Sequence, residues 1–198
     1  MRSECRKKSS LVLLLCALTS IGLHVAQSQD SKAHPGCGKA KIHMAGPEFL
    51  TTAIGVIAIE PPPGWVVEKT KHNPFFLLRI GDRYENARTV IYINVQVLDG
   101  TFEQAVANDE RDFRRDDPSV QIQSEPQPEI LERGCAVKTQ RFIYEHKQKT
   151  SVDQVTKIAI DGLLLNVVLS SDSETEIARY QKDYEQLLMH LGLVMSRP

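Results

Sequence analysis

The chain has 198 residues and is nearly balanced in charge, with 24 Lys and Arg against 25 Asp and Glu, a formal net charge of −1. That balance leaves no basic excess for neutralising phosphates and argues against a nucleic-acid partner. The length suits one domain with a real hydrophobic core.

At the N-terminus, Arg2, Arg6, Lys7 and Lys8 precede an apolar run from Leu11 to Leu23. This is the order of the charged and hydrophobic regions of a secretory signal peptide. The run of about 13 residues is shorter than the roughly 20 a membrane-crossing helix needs, so no permanent membrane anchor is expected. Ala26 and Ser28 offer small side chains for cleavage, and the expected cut follows Ser28, with cuts after Ala26 or Gln27 as neighbours. Residues 1–28 are therefore read as a leader and the protein as secreted or periplasmic. Losing that leader removes four basic residues and one acidic one, which leaves a formal charge of −4. Cys5 and Cys16 leave with it. The two that stay, Cys37 and Cys135, would reach an oxidising compartment, where one disulfide between them is the natural expectation and two unpaired cysteines the alternative.

Residues 29–51 read as a flexible linker, rich in Lys, His, Gly and Pro and without an apolar period up to about Pro47. Within it His34, Cys37 and His43 are three weak candidate ligands for a divalent metal, but they match no finger spacing and no fourth ligand is evident. No cofactor is expected.

The folded part is predicted over 52–194. Ile54–Ile59 and Trp65–Val67 flank Pro61, Pro62, Pro63 and Gly64, which reads as two strands joined by a stiff turn, with Trp65 as the core anchor closing that hairpin. A short strand follows at Leu77–Ile80. Over Val90–Leu98, Ile91, Ile93, Val95 and Val97 fall on one face, and Val90, Tyr92, Asn94 and Gln96 on the other; the second face is expected to be only partly covered.

Thr101 and Gln104 form a capping box for a helix that carries Phe102, Val106 and Phe113. Arg111, Arg114 and Arg115 near its end complement the helix dipole. An anion site there is offset by Glu110, Asp112, Asp116 and Asp117, and a solvated face is the plainer reading. Strands are predicted at 120–123, 129–131 and 135–144. Val155–Ile160 and Leu163–Leu169 flank Asp161 and Gly162, the signal for a type I′ hairpin. Leu163, Leu164 and Leu165 place apolar side chains on both faces, which predicts a strand covered on both sides. A last helix starts at Ser173, with Glu176 as capping partner, and carries Ile177, Tyr180, Tyr184, Leu187, Leu188 and Leu191 before Gly192.

No phosphate loop, dinucleotide fingerprint, nucleophile elbow or two-histidine zinc-protease motif occurs in the chain. Cys135 and His146 could be imagined as a thiol and its base, but an extended strand between them would hold them more than about 30 Å apart. His72, His146 and His190 are scattered, and Asp82, Glu85, Asp99, Asp109 and Asp161 fall at predicted turns or on an exposed helix face.

An apolar strand leading into Pro63-Gly64-Trp65, the 90–98 strand, the Thr101 helix, the Asp161-Gly162 hairpin and a closing amphipathic helix together resemble the PsbP-like fold family over residues 52–194. The resemblance implies an α+β fold in which an antiparallel β-sheet is sandwiched between helices. It also implies a non-catalytic binding or scaffolding role, with no catalytic residues to carry over. The function expected is that of an exported domain contacting another protein in the cell envelope, through a sheet face or the loops around Gly81–Arg88. Small-ligand or metal binding, or an uncatalogued hydrolase, is the alternative.

Overall fold

The computed structural model describes residues 48–52, 55–68, 75–128, 135–146 and 149–196, all within one compact unit spanning 31–198. Among the described residues are ten strands and two helices: β1 (Glu48–Thr51), β2 (Gly55–Ile59), β3 (Trp65–Glu68), β4 (Phe75–Arg79), β5 (Thr89–Val97), α1 (Phe102–Asp116), β6 (Gln121–Ser124), β7 (Ala136–His146), β8 (Lys149–Ile160), β9 (Leu163–Ser171), α2 (Glu174–Met189) and β10 (Gly192–Ser196). Seven strands build an antiparallel sheet in the order β3-β4-β5-β9-β8-β7-β6, and three more build a small sheet in the order β1-β2-β10.

Alternation of side chains sorts the large sheet into two faces. On one face Ile91, Ile93 and Val95 of β5, Leu165, Val167 and Leu169 of β9, and Val152, Ile158 and Ile160 of β8 join the main core. Helix α2 lies over them and buries Ile177, Tyr184, Leu187 and Leu188, a stripe at helical spacing, while the Tyr184 hydroxyl donates to the Val167 carbonyl at 2.7 Å. Ile57 and Ile59 of the small sheet belong to the same core. The opposite face carries a second cluster, Val120, Phe142, Val155 and Val168, against which Phe113 of α1 packs. The antiparallel sheet thus has a helix on each face, the α+β arrangement expected.

Several local expectations are met for the reasons given. Asp161 and Gly162 both have positive φ, 46° and 74°, as a type I′ turn requires, and β9 is buried on both faces. Thr101 accepts from the Gln104 backbone at 3.2 Å while the Gln104 side chain accepts from the Thr101 backbone at 2.9 Å, a complete capping box. Ser173 accepts from Glu176 N at 3.3 Å, but the Glu176 carboxylate turns to Arg179 at 3.5 Å, so in this box the reciprocal bond is replaced by an ion pair.

Other expectations are corrected. Strands β2 and β3 do not form a hairpin: β2 pairs with β1 and β10, whereas β3 pairs with β4. The proline run is a crossover between two sheets. It is latched from the other side of the core. Trp65 Nε1 donates to Asp183 Oδ2 at 2.8 Å, and the Arg79 guanidinium lies 5.5 Å from both the Trp65 and the Tyr180 rings and 3.7 Å from Asp183. Gly64 has φ 82°, a left-handed conformation that selects glycine, and a Cβ there would come within 2.8 Å of that guanidinium, whose flexible end could give way. The last four residues of the segment read as a linker form strand β1, and Gly192, read as a helix stop, opens β10. The predicted strand at 77–80 begins at Phe75 and stops at Arg79, leaving Ile80 in a turn. The strand predicted at 129–131 lies outside the described residues.

Candidate functional site

Helix α1 covers only part of its face of the sheet. Beyond it, on β3, β4 and β5, that face carries Val66, Leu78, Phe76 and Tyr92, and the 80–88 loop folds back across them. The Tyr84 ring lies 4.7 Å from Phe76, which in turn lies 6.0 Å from Tyr92. Val66, Ile80 and Tyr84 remain 46%, 70% and 50% exposed, three large apolar side chains at one end of the sheet. Hydrophobic residues exposed together, rather than singly, are the kind that mark interaction sites.

The loop is fixed at its far end. Arg88 makes a two-pronged contact with Asp172, at 2.9 and 3.1 Å, and its carbonyl accepts from the Asp172 backbone at 3.2 Å and from the Ser171 hydroxyl at 3.2 Å. Thr89 and Ser171 share a buried hydroxyl hydrogen bond of 2.9 Å. Between the loop and the ends of β8 and β9 lies an open cleft of about 380 Å³ lined by Glu85, Asn86, Ser151, Ser170 and Asp172. Beneath Ser170, Asp153 is largely buried. Desolvation raises its carboxyl above the usual carboxylate range, against the lowering effect of hydrogen bonds from Ser170 and Tyr144. Burial likewise pushes up the phenols of Tyr92 and Tyr144, and the Asp153 charge adds to both shifts. The cleft therefore has a polar rim, and one member of it, Ser170, stands opposite the weakly solvated Asp153 on the neighbouring strand.

A second polar feature lies under α1. Lys157 is 1% exposed, and its Nζ meets Asp109 Oδ2 at 2.6 Å and faces the Phe142 ring at 5.7 Å. Asp109 itself is 37% exposed. The neighbouring Gln140 donates to Glu110 at 2.5 Å, while Gln140 Oε1 and Asn166 Oδ1 are buried without a hydrogen-bond partner. Helix α1 buries no residue of its own.

Of the residues singled out in the sequence, Cys135 lies just ahead of β7 and is disulfide-bonded. A cysteine in that state is neither a nucleophile nor a thiolate ligand. Continuous pairing of β7 with β8 from Ala136 to His146 keeps Cys135 and His146 far apart, as the strand geometry requires. His34, Cys37, His43 and His72 lie outside the described residues, and among the described ones no cluster of three His, Cys, Asp or Glu could hold a metal ion. His190 ends α2 and contacts Glu60 at 2.7 Å, a tie between helix and small sheet. Arg115 is paired with Asp112 and Asp116, at 2.8 and 3.1 Å, so the acidic neighbours do take up the end of α1. No described helix is long and apolar enough to cross a membrane. Sequence reasoning placed Asp109 on an exposed helix face and did not find Lys157 or Asp153. Their alternation on β8 was the available signal, but it reads as solvent-facing until α1 is laid upon it.

No family model matches the chain, and no curated protein matches it. Solved structures show a distant likeness. Cyanobacterial PsbP from Synechocystis is 10% identical, with 79% of this chain and 97% of that chain covered and a TM-score of 0.47. LpqN of Mycobacterium tuberculosis, described as involved in cell envelope biogenesis, is 14% identical over 76% and 87% of the two chains, with a TM-score of 0.46. The Ran-binding protein Mog1p of Saccharomyces cerevisiae is 12% identical over 71% and 85%, with a TM-score of 0.41. Against a protein from Bacteroides thetaiotaomicron the chain spans 45% of that chain's length, at 8% identity and a TM-score of 0.43.

Proposed function

We propose that this chain is an exported binding domain, without catalysis of its own, that contacts another protein through the uncovered end of its sheet. The observation that carries the reading is the exposure of Val66 on β3, of Ile80 in the turn after β4 and of Tyr84 against Phe76, beside a loop held by the Arg88–Asp172 pair. A rigidly held loop loses little conformational freedom on binding, and tyrosine is among the side chains that carry most of the energy at protein interfaces. The leader directs the domain to an oxidising compartment, where Cys135 pairs with Cys37. A closed loop of this size, roughly 100 residues, would contribute ~4–5 kcal/mol by chain entropy. In the disulfide, Cys37 is lost as a metal ligand, so this reading and a His34–Cys37–His43 metal site exclude one another.

The test is capture from the envelope fraction with the wild-type protein and with a variant carrying Ile80→Asp and Tyr84→Ala. A partner retained by the wild type and lost by an equally stable variant supports the reading. Absence of any reproducible partner, or one held equally by both proteins, refutes it. Mass spectrometry of the exported protein without reduction should find a new N-terminus at Gln29 and a peptide joining Cys37 to Cys135.

A further inference from the structure

A second cleft lies at the opposite side of the sheet, where α2 leaves the outer strands uncovered. Its outer wall is the strap Glu125–Pro128, held along β7 by Glu125 N donating to the Thr139 carbonyl at 3.0 Å and Gln127 Nε2 donating to the Val137 carbonyl at 2.9 Å. Its inner wall is α2, through Ala178, Gln181 and Glu185, and its floor is Arg141 of β7 and Gln154 of β8. The space is about 380 Å³, the size of a small-molecule pocket.

The floor is unlike the rest of this core face. Gln154 is 3% exposed, and Arg141 Nη2 donates weakly to its Oε1 at 3.5 Å. Arg141 Nε is buried with Glu125 Oε1 at 3.1 Å, yet without hydrogen-bond geometry to it. A guanidinium offers five N–H donors in a planar fork, and these two contacts, through Nη2 and Nε, use only part of that capacity at a residue that lines the cleft. Around this one cation stand two carboxylates, Glu125 and Glu185, and the apolar wall surfaces of Pro126, Pro128 and Ala178. A bare anion would meet the flanking carboxylates unfavourably, and a bare cation would meet Arg141. A molecule bearing both charges satisfies both.

We propose that this cleft binds a small zwitterion of the amino-acid class, its carboxylate on the Arg141 fork, its ammonium on the flanking glutamates and a short side chain against the prolines. Proton and nitrogen resonances of the protein should be followed while it is titrated with alanine, N-acetylalanine and alanine amide. Alanine is expected to shift the amides of Arg141, Gln154 and the 178–185 turn of α2. The acetyl derivative, lacking the ammonium, and the amide, lacking the carboxylate, should each bind at least about tenfold more weakly. Arg141→Ala should abolish the shifts. Because Arg141 also braces the strap, Glu185→Gln on the exposed helix surface gives the independent check, weakening alanine while leaving N-acetylalanine as tight as before or tighter. No shift with alanine at tens of millimolar, or blocked derivatives binding as tightly as alanine, overturns the proposal.

Discussion

The two helices hold to the same sheet by different means. Helix α2 buries four apolar side chains in the main core, and its one buried hydroxyl, Tyr184, is satisfied. Helix α1 buries none, and rests on Phe113, the Lys157–Asp109 pair and the Gln140–Glu110 contact. Apolar burial is non-directional and scales with the area removed from water. A polar seam holds only while each group keeps its partner, and Gln140 Oε1 and Asn166 Oδ1 are already without one. The sheet thus has one face sealed by apolar packing and one held by a polar seam. Native-state hydrogen exchange should therefore show the amides of α1 exchanging well ahead of those of α2.

Substitutions sharpen that contrast. The largest effect is expected from Leu187→Ala, which removes a fully buried side chain from the α2 interface and should cost ~2–5 kcal/mol in denaturant unfolding. Next comes Asp109→Ala, which leaves the Lys157 ammonium buried without its counter-charge. Since Asp109 is more than a third exposed, the loss should fall below the ~3–5 kcal/mol of a fully buried pair. Lys157→Met should then be neutral or stabilising, because it removes the charge and keeps the volume. If Asp109→Ala and Lys157→Met are equally destabilising, the seam is a packing interface rather than an electrostatic one. Thr101→Ala, which deletes the α1 cap, is expected to cost ~1 kcal/mol and to raise exchange in the first turn of that helix alone.

Asp153 supplies the smallest effect and a pH dependence of definite sign. Its folded-state pKa is raised above the ordinary value of 3.8, so the native state binds the proton more tightly than the unfolded chain does. Stability from this group is present below that value and is lost as pH rises through the folded pKa. Asp153→Asn should accordingly melt higher than wild type at neutral pH, with the difference vanishing on acidification below the ordinary carboxylate range. Equal melting temperatures at both pH values would remove Asp153 from the list of strained groups.

Local chemistry made much of the fold legible. Asp161-Gly162 needs positive φ at two successive residues, and Thr101 with Gln104 needs only one turn of chain, so neither depends on distant contacts. Strands β1 and β10 escaped because each is four or five residues long and is defined by its pairing with β2, a non-local event. The proline crossover misled for the same reason: adjacent strands pair by default, and nothing within 61–64 announces that β3 belongs to another sheet. At the candidate site, the 80–88 loop was marked by its turn residues. The burial of Lys157 was not visible, since on a strand that alternates Val155, Lys157 and Ala159 the lysine looks solvated until a helix from elsewhere lands upon it.

The large sheet tapers. Its inner strands β5, β9, β8 and β7 run for 9 to 12 residues, whereas the outermost strands in its order, β3 and β6, have four each. Pro61, Pro62 and Pro63, one glycine ahead of β3, bring no backbone N–H to the approach to that strand. A foreign strand arriving at β6 finds only a few rungs to grip, which is how sheet proteins avoid growing into fibrils. That short margin is a safeguard written into the length of the strand that forms it.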